Sequence, residues 1–149
     1  MKASVAVCLT AVILAGCGSV PFRYEGPDAA TLAGADILDW TNRTTTMVVE
    51  VNGQPRGLPY TIHPIRVRPG VLKVGVHFKG GGGALSTGCF EVNAVAGGYY
   101  QFTSAIVPGG FLMHLHEGQG EDRRLVGKVF MPLRGWMKVP AYCPSEMRS

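Results

Sequence analysis

The sequence predicts an all-β protein, an antiparallel β-sandwich of one domain with a C-terminal tail packed on it. Three observations predict it. Apolar side chains recur at every second position in segment after segment, the period of a half-buried strand. The 149 residues include 21 Gly and 10 Pro, enough to punctuate those segments with turns. No stretch sustains three turns of helical periodicity, and many short strands between Gly and Pro turns favour a sandwich or open barrel.

The elements follow in order. Residues 18–34, "GSVPFRYEGPDAATLAG", lack sustained periodicity and read as a tether whose latter part can pack down. In "TTMVVEV" the residues Met47, Val49 and Val51 are expected on one face of a strand. Asn52 and Gly53 then offer a turn, since both tolerate positive φ. "IHPIRV" reads as an edge segment because Pro64 has no N–H for a ladder, and Arg68–Gly70 is another turn. "VLKVGVHF" is the clearest strand. Leu72, Val74, Val76 and Phe78 point one way; Val71, Lys73, Gly75 and His77 point the other.

Gly80–Gly83 break that strand. "CFEVNAVA" then places Phe90, Val92, Ala94 and Ala96 together, and "YYQFTSAIV" does the same for Tyr100, Phe102, Ser104 and Ile106. "FLMHLH" turns Phe111, Met113 and Leu115 to the core, leaving His114 and His116 to solvent. "EGQGEDRR" is a charged turn that explains Glu121 and Asp122, and "LVGKVFM" is the last strand.

The N-terminus sets the expected compartment. After Lys2, residues 3–15 are an apolar run too short for a membrane-crossing helix, which needs about 20 residues. The run ends in "LAGC", Leu14 to Cys17. With Lys2 and the apolar core before it, this resembles the lipobox of bacterial lipoprotein signal peptides. The resemblance implies cleavage between Gly16 and Cys17 and acyl chains, palmitate among them, on Cys17. Two or more chains hold a domain stably at a membrane. Gly18 does not match the Asp that commonly retains such proteins at the inner membrane, so the resemblance implies the outer membrane, with a domain facing the periplasm or the cell surface. The expected organisation is a signal peptide over 1–16, a lipid-anchored tether over 17–34 and a sandwich domain over 35–149.

Without residues 1–16 the formal charge falls from +4 to +3, a mild excess that suits an anionic surface but does not argue for nucleic acid. Cys8 leaves with the leader and Cys17 is spent on lipid. The remaining pair, Cys89 and Cys143, suggests one disulfide in an oxidising compartment; two free thiols are the alternative.

The layout of "VEVNGQPRG" and "IRVRPGVLKVGVHF", with Asn52–Gly53, Gly57 and Pro69–Gly70 as its turns, resembles PEGA-like modules and small β-rich envelope lipoproteins. "AVAGGYYQF" resembles the strand that often follows in them. The resemblance covers about half the mature chain and implies a transthyretin-like or related sandwich with binding or structural work. It carries over no catalytic residue and no cofactor.

His114 and His116 share a strand face and are candidate metal ligands, but His63 and His77 are not placed to complete a set. "KGGGGALS" has its Lys before the glycines and no helix after them, unlike a phosphate loop. Ser86 and Ser104 lack a nucleophile-elbow context. Tyr99 is expected to be an exposed ring. The tail from Phe130 onward carries a heavy apolar load, read mainly as cover for a sheet edge; Arg134, Trp136 and Lys138 are its candidate interface residues. The expected function is a non-enzymatic structural or protein-binding component of the envelope, as an accessory subunit of a larger assembly. The alternatives are a carbohydrate- or peptidoglycan-binding module using Tyr99 or Trp136, and an envelope hydrolase, disfavoured by the missing nucleophile and base.

Overall fold

The computed structural model describes residues 22–38, 43–56, 61–81, 85–132 and Cys143. Within them the chain is all-β. Ten strands form two sheets: β1 Ala30–Ala33, β2 Ala35–Leu38, β3 Arg43–Val51, β4 Gln54–Pro55, β5 Ile65–Val67, β6 Gly70–Lys79, β7 Leu85–Ala94, β8 Tyr99–Val107, β9 Gly110–Glu117 and β10 Arg124–Pro132. The first sheet runs β10-β9-β8-β1-β5; the second runs β2-β3-β6-β7, with β4 also paired to β3.

The strand order departs from the expected antiparallel arrangement in the first sheet. The second sheet is antiparallel throughout, but the first is mixed, because β1 lies parallel to β8. β1 comes from the stretch read as tether: Ala30 and Leu32 are fully buried, so the packed body begins before residue 35. The four residues of β1, "ATLA", give no visible period. Their strand depends on partners far along the chain.

Gly34 lets the chain leave the first sheet at Ala33 and enter the second at Ala35. A Cβ there would sit 2.1 Å from the Thr46 carbonyl oxygen, so only glycine fits the crossing without a shift.

β6 follows the alternation read from sequence. Leu72, Val74, Val76 and Phe78 are buried toward the core, while Val71 is exposed on the other face. β3 departs from it. A bulge between Val48 and Glu50 inserts one residue, so Thr46 and Val48 face the core before the bulge and Val51 after it. Met47, Val49 and Val51 therefore do not share a face. The turn that follows is as expected: Asn52 and Gly53 have φ of 51° and 78°, and Val51 pairs with Gln54 across them. β5 is an edge strand, as Pro64 suggested. Ala96 lies beyond the end of β7 and is exposed.

Both sheets contribute to one apolar core. Phe78 of β6 meets Phe111 of β9 at 3.9 Å between ring centroids, and Phe90 of β7 meets Phe102 of β8 at 5.4 Å. The buried hydroxyls of Thr46 and Ser104 hydrogen-bond to each other at 2.8 Å, joining β3 to β8 and satisfying two groups that would be costly alone. Tyr100 Oη donates to the Asn93 carbonyl and accepts from the Val95 N–H, both at 3.0 Å, which fixes the β7–β8 turn.

Cys89 and Cys143 form a disulfide, with Cα atoms 5.1 Å apart. Ser86, Phe90, Val92 and Ala94 are buried on the inner face of β7, so alternation places Cys89 on its outer face. Cys143 is buried there. One residue of the tail is thus fixed on the outside of the second sheet.

Candidate functional site

The outer face of the first sheet is built from cross-strand rows. Gln101 of β8, His116 of β9 and Leu125 of β10 form one row; Thr103, His114 and Lys128 form the next; Ala105, Leu112 and Phe130 form the third. The face grades from polar to apolar along the strands.

Several polar groups on and beside these rows pair with one another. Thr103 Oγ1 and His116 Nε2 are 3.1 Å apart, and Arg123 donates to Gln101 Oε1 at 3.4 Å. Glu117 accepts from Arg124 at 2.6 Å. The two imidazoles lie edge to face with centroids 6.0 Å apart. Both are half-buried, not solvated as alternation alone suggested. Burial pushes the pKa of each down. Lys128 adds to the effect on His114; Arg123 and then His114 add to it on His116. Among the described residues, no three His, Cys, Asp or Glu side chains come together as a metal site.

On β10 the first of these rows ends at Leu125 and the third at Phe130. β10 pairs with β9 alone among the described residues. A register shift between Leu125 and Gly127 turns Leu125 outward, while Val129 and Met131 pack on the core. Leu125, Val126 and Phe130 are left 48%, 44% and 53% exposed. An unpaired strand edge lined with apolar side chains is a template for contact with another chain.

A second feature lies at the opposite edge of this sheet. Arg23, Thr31, Arg56, Pro64, Ile65 and Arg66 enclose a cleft of about 400 Å³. The three arginines are far apart in sequence and carried no motif.

The residues named from sequence fall out as follows. Cys89 and Cys143 are joined. His114 and His116 share a face without a third ligand beside them. Tyr99 is half-buried on β8 beside Thr31 of β1, not an exposed ring. Ser86 and Ser104 are buried in the interior. Cys17, Arg134, Trp136 and Lys138 lie outside the described residues. Sequence reasoning places the edge residues Leu125, Val126 and Phe130 only in a strand and a tail; the signal for their exposure is a bulky apolar residue, Phe130, alternating with inward Val129 and Met131. Comparison with family models, curated proteins and solved structures finds no match.

Proposed function

We propose that the protein is a non-enzymatic lipoprotein of the bacterial envelope that binds a protein partner through the β10 edge. In this reading Cys17 carries the lipid, the outer membrane holds it, and the two sheets form a sandwich of transthyretin-like or related type. The observation that carries the binding role is the exposure of Leu125, Val126 and Phe130 on a strand with one paired side among the described residues. Phe130 alone is a large apolar ring more than half exposed, a cost in water that contact would remove.

Other features support the setting. The disulfide suits an oxidising compartment. The shared core of the two sheets supports the sandwich, and the positive φ values at Asn52 and Gly53 support the turn expected there. The carbohydrate reading has less support, since Tyr99 is half-buried and so offers less ring face for stacking.

Site-specific photo-crosslinking in intact cells tests the binding role. A crosslinking amino acid at Phe130 should give a discrete adduct with an envelope protein. The same group at Glu91, exposed on the outer face of β7, should give none. Equal labelling at both positions, or none at Phe130, would reject the β10 edge as the contact.

A further inference from the structure

The arginine cleft has the chemistry of an anion site. Arg66 of β5 stands across from Thr31 of β1 at the edge of the first sheet, and its guanidinium donates to the Gly26 carbonyl at 2.8 Å. Arg56 donates to the Thr61 and His63 carbonyls at 3.0 and 3.4 Å, which holds its head in place. Arg23 completes the wall. Two of the three guanidiniums are therefore held by backbone carbonyls, so they are preorganised for a ligand.

The charges do not cancel. Among the described residues no carboxylate lines the cleft. Glu25 is shared between Arg23, which it pairs directly, and Arg66, at 3.6 Å. Among the described residues no carboxylate pairs with Arg56, although it is half-buried and burial pushes its pKa down. A partly desolvated guanidinium without a counter-ion is costly, and a bound anion offsets that cost. Arginine's planar fork suits phosphate, and the cleft's volume lies within the range of about 300–1,000 Å³ usual for small-ligand sites.

Chain length says which phosphate is near. Six residue steps separate Cys17 from Arg23. A fully extended chain spans at most about 3.6 Å per residue, so Arg23 lies within roughly 22 Å of Cys17. A lipid on Cys17 would confine this wall of the cleft to the neighbourhood of the headgroups, where anionic lipids attract Arg side chains.

We infer that the Arg23–Arg56–Arg66 cleft binds the phosphate of an anionic membrane-lipid headgroup. The placement beside a membrane rests on the anchored reading above; the anion chemistry of the cleft does not.

The test uses the whole protein as cells make it, purified from the envelope in neutral detergent, with its intact mass recorded. Three water-soluble probes are titrated by NMR. Glycerophosphoglycerol is the headgroup of an anionic phospholipid. Glycerophosphocholine has the same phosphate with a compensating cation. Inorganic pyrophosphate represents a free phosphate source. Glycerophosphoglycerol should bind saturably and at least tenfold more tightly than glycerophosphocholine. Arg23→Gln and Arg66→Gln should each weaken it about tenfold, the usual effect of losing a charged hydrogen bond. Arg23 pairs only with Glu25 among the described residues and is exposed, so Arg23→Gln should keep the wild-type urea midpoint and separate binding from folding. Absent binding, unchanged affinity in Arg23→Gln, or saturable binding of pyrophosphate alone would overturn the inference. An acylated protein that fails to bind refutes the inference and leaves the anchor standing. A protein without acyl mass that still discriminates between the two headgroups refutes the anchor and leaves the cleft chemistry standing.

Discussion

Among the described residues β7 and β10 are each the last strand of a sheet, and they treat their outer faces in opposite ways. β7 turns Cys89 outward between Thr87 and Glu91, and the bond to Cys143 brings a buried tail residue onto that face. β10 turns Leu125, Lys128 and Phe130 outward, and both apolar side chains stay about half exposed. One edge is fastened by the chain's own covalent bond. The other keeps apolar surface in water. The difference teaches that the two strands are held differently: a tail residue is bonded to β7, while apolar side chains of β10 stay exposed.

The largest expected effect comes from removing what the two edges share. Deleting residues 130–149 takes away Cys143, the end of β10 and Met131, which packs on the core. The 54-residue spacing of the disulfide corresponds to about 4 kcal/mol in the chain-entropy estimate. A buried large side chain adds about 1.5–3 kcal/mol. The sum enters the usual 5–15 kcal/mol margin of a domain. The truncated protein should therefore lose its cooperative urea transition at 25 °C; a wild-type midpoint would show that neither edge needs the tail.

Cys143→Ser isolates the β7 side. It should lower stability by up to about 4 kcal/mol in urea unfolding while leaving a cooperative transition. Reduction of the wild-type protein should move the midpoint by the same amount, and a much smaller shift would mean that the staple holds little. Gly110→Ala isolates the β10 side. Its Cβ would lie 2.2 Å from the Met131 carbonyl oxygen, so β9 and β10 must separate at that end. A loss of about 1–3 kcal/mol is expected, with faster amide exchange confined to β10. Exchange spread evenly over both sheets would contradict a local effect.

The smallest effect is a pH dependence that also compares the sheets. Burial is the leading cause of lowered pKa values at His77 on the second sheet and at His114 and His116 on the first, with Lys79, Lys128 and Arg123 as neighbouring cations. Each folded pKa lies below the unfolded value of about 6.5, so the unfolded chain binds more protons between the two. The stability is complete above pH 6.5 and is lost as pH falls through the lower folded values. The urea midpoint should thus drop from about pH 7.5 to about pH 5.5. His77→Gln should flatten that drop through the second sheet, and His114→Gln with His116→Gln through the first; an unchanged slope in both would reject histidine linkage.

How much of this was legible in the sequence depends on how local the cause was. β6 could be read residue by residue because its ladder with β7 runs unbroken from Gly70 to Lys79. β3 could not, since the bulge after Val48 is set by pairing with β6 and reverses which valines face inward. β1 was missed for a similar reason: "ATLA" has no period, and its place between β8 and β5 comes from non-local contacts. The disulfide was legible as the pair left once Cys8 and Cys17 are assigned to the leader and the lipid. The arginine cleft was not, because only folding brings Arg23, Arg56 and Arg66 to one edge.

The division between a fastened edge and a contact edge is tested most directly by Phe130→Asp beside Cys143→Ser, each scored for urea midpoint and for the crosslinked adduct formed from an adjacent probe at Lys128. Phe130 is a surface residue, so Phe130→Asp should shift stability by no more than about 0.5 kcal/mol and abolish the adduct. Cys143→Ser should lower the midpoint and retain the adduct under conditions where the domain stays folded. If Phe130→Asp instead unfolds the domain, or leaves the adduct intact, β10 is part of the structural body and not the surface through which the protein binds.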